Sequence, residues 1–435
     1  MRPLLPVALL PLLLAACTQG TSGAFSQGAS PPPSSPALQP QLDTAALTAL
    51  RARAAAALLA HLPGGSVELA WGAGAAAPAA GPYADAAPEA DAAGAQALHS
   101  LAALPAPGVT LAAGLPASSA SATTDAFRQL EGPRGGAYLL LSDAAHPPAP
   151  NGPYPVDPTP AACPSGGGGS PECLRRLVSD ELLATWYATD TKMFFKVGET
   201  STVYRPVDAI AVGSALVVAG FTLHDENKIQ AGSQILDKEF KNDVDPHFGM
   251  LFGLVTATAQ GGHSTTDYKT HTADQAGAAE ALLEAFDASR EQQYMADAKR
   301  LLQPLMDETV SLHAATGGYV EGFDLQSAGP AEGTASDVLA TLFVLQAAHH
   351  YDRDDGGHFA RLEEGAAAAL GAALDADRKQ GGDPNSGLPG RVSGTAPAGR
   401  SGLATALAVT ILGDVLKDVS AASASPSAAA PSPSL

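Results

Sequence analysis

The chain is short of the residues on which most assignable chemistry rests. Its 435 residues include three cysteines and two tryptophans, and aromatic side chains make up 5%. Scarce aromatics weigh against the broad stacking surfaces that sugar sites commonly use. Lysine and arginine number 24 against 44 aspartate and glutamate, a formal net charge of −20. That balance argues against nucleic acid as a partner and against electrostatic docking on anionic lipid. There is no Gly-x-Ser-x-Gly elbow, no phosphate loop and no His-Glu-x-x-His zinc motif, so the sequence points to no cofactor and no metal. Beyond the first residues, no run of about 18 uncharged apolar residues offers a membrane span.

The N-terminus reads as a signal. Arg2 gives the positive start, Leu4 to Leu14 is apolar except at Pro6 and Pro11, and Leu14-Ala15-Ala16-Cys17 follows. Small residues before a cysteine match the lipoprotein form of the secretory signal. The expectation is cleavage before Cys17, lipid on Cys17, and attachment to the bacterial cell envelope outside the cytoplasm. The alternative is an ordinary cleaved signal with an incidental cysteine. The Ser/Pro/Gly/Gln-rich stretch 17–41 and the tail 420–435 have the composition of disordered segments.

Cys163 and Cys173 flank the flexible loop Pro-Ser-Gly-Gly-Gly-Gly-Ser-Pro-Glu. An exported compartment permits a bond between them, with two free thiols as the alternative. They are not a C-x-x-C redox pair, and they are too few to hold a metal.

Residues 42–160 alternate helical and short apolar segments. Leu42 to Leu62, Pro88 to Leu104 and Thr123 to Leu130 read as helices. Ser66 to Trp71, Gly108 to Ala113 and Gly136 to Leu141 read as strands. This pattern predicts a small α/β domain, closed by the prolines from Pro147 to Pro160 and followed by a glycine-rich linker, 161–171.

Residues 172–419 read as repeated helical hairpins. Asp208, Asp274 and Asp337 open successive apolar helices, 66 and 63 residues apart. Each helix is followed by a polar turn and a second helix. Each pair then ends in a glycine-flanked segment: Gly249 to Leu254, Gly318 to Phe323 and Gly387 to Val392. Hairpins of this length stack, because one pair cannot bury both of its apolar faces. The long returns suit a closed α/α ring, with an open solenoid as the alternative.

Together the two parts resemble the thioredoxin-domain proteins of the YyaL-like family, related to the spermatogenesis-associated thioredoxin-domain proteins. The resemblance rests on Leu130 to Ser142, Gly152-Pro153-Tyr154-Pro155, Asp274 to Leu283 and Glu332 to Asp337. It implies a thioredoxin-like domain followed by a six-hairpin α/α toroid. The family's Cys-x-x-Cys-like motif is replaced here by Trp71 to Pro78, which holds no cysteine. Without a thiolate nucleophile, thiol–disulfide exchange is lost.

Three acidic helix starts converging on one rim suit general acid–base work on a sugar. The competing reading is that Asp208, Asp274 and Asp337 only cap their helices. His271 is placed to shuttle a proton, and Asp267, Tyr268, Tyr319 and Glu321 to contact substrate, against the alternative of a solvated loop. The His349-His350 pair and the acidic run Asp352 to Asp355 read as a solvated turn, with a calcium site the less favoured reading. Two functions follow: a surface toroid that binds or processes carbohydrate, or a non-catalytic envelope scaffold whose partner is another envelope protein.

Overall fold

The computed structural model describes residues 42–62, 70–71, 93–94, 97–98, 100–109, 137, 140–141, 171–306, 318–331, 335–383, 385–393 and 399–424. Cys17, Cys163 and the expected signal and tether lie outside the described residues.

Helix α1 (Thr44–Ala60) starts at Asp43, whose carboxylate accepts from Ala46 N at 3.0 Å. Strand β1 (Ala70–Trp71) follows. Helix α2 (Pro171–Trp186) runs into a small hairpin, β2 (Tyr187–Ala188) and β3 (Met193–Phe194).

A unit then recurs in which a strand leads into a helix, a tight turn, a second helix and a return strand. In the first unit, β4 (Ser201–Tyr204) enters α3 (Pro206–Leu223), then α4 (Glu226–Asn242), then β5 (Leu254–Thr258) and β6 (His263–Asp267). In the second, β7 (Lys269–His271) enters α5 (Thr272–Ser289), then α6 (Gln292–Leu302), β8 (Gly322–Asp324) and β9 (Gly329–Pro330). In the third, β10 (Ser336–Asp337) enters α7 (Val338–Asp355), then α8 (Ala360–Lys379) and β11 (Arg391–Val392). Within each unit the return strand pairs antiparallel with the entry strand: Tyr204 faces Val255, His271 faces Gly322, and Asp337 faces Arg391.

The sharp turns come from left-handed residues at the helix ends. His224 and Arg290 take positive φ after α3 and α5, and Gly356 does so after α7. Asp225 then caps α4 by accepting from Asn227 N and Lys228 N. Close helix approach depends on paired glycines. A Cβ on Gly232 would sit 2.5 Å from the Gly213 carbonyl, so α3 and α4 touch there backbone to backbone.

The glycine-flanked segments behave alike. Gly249, Gly318 and Gly387 all have positive φ. Just after each, a backbone N–H donates to a side chain at the fourth position of the next unit's first helix. The pairs are Leu251 to Gln275, Tyr319 to Thr341, and Leu388 to Thr405. Each return therefore stitches its own unit to the next.

The fourth unit is assembled from both chain ends. Strand β12 (Arg400–Ser401) enters α9 (Gly402–Ala424), which runs on into the expected tail. Its companion helix is α1 and its paired strand is β1, with Trp71 opposite Arg400. Arg51, 2% exposed, donates from Nε to the Val409 carbonyl at 3.0 Å and reaches Ser100 O and Oγ at 3.2 Å.

This arrangement gives the expected thioredoxin-like domain no support among the described residues. Among the described residues of 42–160, α1, Ala93, Ala97 and Leu101 share one core with α5, α7 and α9. Ala137 and Leu140, expected in a strand, lie in a helix that packs with α2 and α3. A short apolar run fits either helix or strand, and here tertiary packing decided it.

The first helices α3, α5, α7 and α9 lie side by side in that order. Helix α3 is long and apolar enough to cross a membrane by composition, yet 83% of that window is buried inside the fold. Ile210, Val212, Leu216 and Val218 are fully covered, so α3 is a core helix.

Candidate functional site

The starts of α3, α5 and α7 bring most of the expected site residues together, though not as equivalent caps. Asp208 and Asp274 are each the third residue of their helices, whose N-cap positions are Arg205 and His271. Neither helix has a side-chain cap bond. Asp337 is a true N-cap, accepting from Ala340 N at 2.9 Å. Capping therefore accounts for Asp337 and not for Asp208 or Asp274.

Asp274 is 5% exposed, and its Oδ2 is paired with the Arg205 guanidinium. Its Oδ1 is buried with no hydrogen-bond partner, and so is Nδ1 of His271, one helical turn earlier. Two buried polar atoms left open at the start of one helix mark a place where a polar ligand or water is expected.

Asp337 sits across the β10–β11 ladder from Arg391. Burial raises its pKa above the ordinary carboxylate range, and the cap bond, Arg391 and His271 pull it only part of the way back. Arg391 also pairs with Glu321, whose own backbone carbonyl accepts from Thr272 N at 2.9 Å. Basic and acidic side chains thus follow one another along the rim, from Arg205 and Asp274 through His271 to Asp337, Arg391 and Glu321.

The remaining expected contacts divide. Tyr268 is 37% exposed and packs edge-on against Phe252, with ring centroids 5.7 Å apart, so it presents an aromatic face. The Asp267 carboxylate accepts from Lys269 N at 3.0 Å in the turn, and its backbone carbonyl accepts from Gly253 N at 2.9 Å. Tyr319 is 1% exposed and offers no open stacking face. Arg205 and Arg391 escaped the sequence reading. A cation at a helix N-terminus opposes the helix dipole, so Arg205 before Pro206 was the available signal.

The His349-His350 pair is not in a solvated turn either. It lies near the end of α7, with His350 only 6% exposed. His350 bridges Glu280 at 3.0 Å and Asp287 at 3.2 Å on α5. His349 bridges Glu363 on α8 at 2.8 Å and Asp418 on α9 at 3.3 Å. Ligand atoms of Glu280, Glu284 and His350 lie within 4.8 Å of one another, as do those of Asp287, His350 and Asp354. These residues are the described ones able to hold a metal ion. With both His350 nitrogens already facing carboxylates, the cluster works as a clamp between α5 and α7.

No family model matches the chain, and no curated protein matches it by sequence. Solved structures do resemble it. An unsaturated glucuronyl hydrolase specific for heparin superposes with a TM-score of 0.57 at 10% identity, over 86% of this chain and 98% of that one. A D-mannose isomerase gives 0.56 at 11% identity, over 86% and 98%. The GH76 α-mannanase of Bacteroides thetaiotaomicron gives 0.51 at 10% identity, over 88% and 98%. The fold is an α/α toroid. The toroid covers the N-terminal helix as well as the repeats, and no similarity to a thioredoxin-domain protein accompanies it.

Proposed function

We propose that the protein binds a sugar at the rim formed by the starts of α3, α5 and α7 and moves protons on it. The observation that carries this reading is the pairing of unlike acids there. Burial favours the protonated form of Asp337, while Asp274 is held by Arg205 with its second oxygen open. A buried carboxyl that favours its proton, on one rim with a second carboxyl whose oxygen is open, can act as acid to the other's base. Asp337 is the proton donor, Asp274 the acceptor, and His271 the neighbouring relay. Asp208 and Glu321 shape the charge of the rim, and Tyr268 offers its exposed ring to the sugar face. Carbohydrate work by proteins of this fold supports the substrate class.

The test is turnover of three sugars by the purified protein: a heparin disaccharide with an unsaturated uronyl end, mannose and α-mannan. Asp337→Asn and Asp274→Asn should each lower turnover by about 10²-fold or more. Parent protein that neither binds nor converts any of them would leave the scaffold reading in place. That second reading is favoured by small residues such as Ala209, Ala211, Ala215 and Ala219, which help to fill the interior around α3.

The same proposal places the chain at the bacterial envelope, lipid-anchored through Cys17 and carrying a Cys163–Cys173 disulfide. The Leu14-Ala15-Ala16-Cys17 junction supports the anchor, and the short flexible loop supports the bond. Palmitate labelling lost in Cys17→Ser, and a linked peptide pair in non-reducing mass mapping, are the expected results.

A further inference from the structure

Away from the rim, a buried polar knot joins three elements. Glu239 and Asp243 lie one turn apart at the end of α4, and both are 0% exposed. Tyr204, from β4, donates its hydroxyl to Asp243 Oδ2 at 2.7 Å and lies 3.1 Å from Glu239 Oε2. His263, the first residue of β6, places Nδ1 3.0 Å from Asp243 Oδ1 and 3.5 Å from the Tyr204 hydroxyl. The backbone carbonyl of Asp243 accepts from Phe252 N at 3.0 Å.

Two arms therefore leave Asp243 and meet again at one side chain. One runs through Phe252, whose ring backs Tyr268. The other runs through His263 and along β6 to Asp267, the residue before Tyr268. Burying two carboxyl groups is costly unless their oxygens are hydrogen-bonded. Hydrophobic packing alone would fill this position at lower cost. Strand β6 buries none of its five residues and is otherwise held only at its edge, by its ladder with β5 and the Thr256–Thr266 side-chain bond.

We infer that Asp243 is the positioning residue for the Tyr268 aromatic face, its carboxylate holding β6 through His263 while its backbone carbonyl holds Phe252. This rests on the sugar-site reading of Tyr268, but its mechanical part does not. Burial and the nearby Asp243 hold the Glu239 pKa well above its ordinary value, so Glu239 brings a proton to the knot. The groups facing Asp243 are Tyr204 from β4, Glu239 from α4 and His263 from β6.

The test is hydrogen exchange of the full-length protein, read segment by segment, with and without the heparin disaccharide or mannose. Asp243→Ala should raise exchange across 252–268 by about tenfold or more while α5 and α7 keep their protection. It should also weaken sugar binding and raise KM while leaving kcat nearly unchanged. Should Asp243→Ala fail to fold, Tyr204→Phe, which removes a single donor, must show the same local rise. Unchanged exchange across 252–268 in a folded variant overturns the proposal, as does a rise spread evenly over the whole chain. If the parent binds neither sugar, the site reading fails, and the exchange pattern still decides whether Asp243 holds Tyr268.

Discussion

Arg205, at the residue before α3, is paired with Asp274 in the first turn of α5. The two side chains are 14% and 7% exposed, so the pair is largely out of water. A carboxylate facing only other carboxylates at the rim would gain stability on neutralisation. With Arg205 as its partner the direction reverses.

Asp274→Asn leaves a mostly buried guanidinium without its counter-charge. The expected loss is about 2 kcal/mol, read by urea unfolding. Arg205→Met in the Asp274→Asn background should return part of it, because the orphaned charge goes too. A single Asp274→Asn variant as stable as the parent, or more so, would remove the pair from any structural role.

The clamp on α7 predicts an alkaline weakness. Burial alone would lower the His349 pKa, but the bonds to Asp418 and Glu363 outweigh it and push it up to about 9. A histidine whose folded pKa is raised adds stability that is full below about 6.5. That contribution drains away as the pH rises through about 9. His349→Asn should therefore cost on the order of 2 kcal/mol at pH 6 and much less at pH 9.5. Thermal unfolding of both proteins across this range checks it, and an equal gap at the two ends would count against the clamp.

The seam between α1 and α9 is open to a minimal change. A Cβ on Gly413 would lie 2.5 Å from Ser100 Oγ and 3.0 Å from Arg51 Nε. Gly413→Ala should destabilise by about 1–3 kcal/mol, although alanine is the better helix former. A stabilised variant in equilibrium unfolding would mean that α1 is not seated there.

The contact between α3 and α4 is tighter, because the obstacle is backbone. Gly232→Ala meets the Gly213 carbonyl at 2.5 Å and Val217 N at 2.9 Å. The helices must part, at an expected cost of about 2–3 kcal/mol. Calorimetry should show a lowered Tm for Gly232→Ala, and an unchanged Tm would contradict this packing.

Much of the repeat was legible because its signals are local. Gly249, Gly318 and Gly387 were visible as a recurring pattern, and each adopts the left-handed backbone that only glycine enters freely. The helical hairpins followed from apolar periodicity. Asp337 was read correctly as a helix start, whereas Asp208 and Asp274 were displaced by two residues, since Pro206 and Thr272 begin those helices. The placing of the described N-terminal residues was not legible because their partners are remote. Ala70 and Trp71 do form a strand, but it pairs with Arg400 and Ser401, and nothing near Trp71 in sequence announces them. The rim arginines were missed for the same reason: Arg391 and Glu321 come together only through folding.

The bond from Arg51 to Val409 spans 358 positions of sequence. Helix α1 is the first described element to leave the ribosome, and the surface it needs is the last to arrive. Until then its apolar side, with Leu47, Leu50 and Leu58, has no permanent cover. Closing so long a loop is slow, although the entropic cost rises only gently with length. Premature termination before α9 would therefore strip α1 and β1 of their partners as well, so that losing one end of the chain unfastens the other.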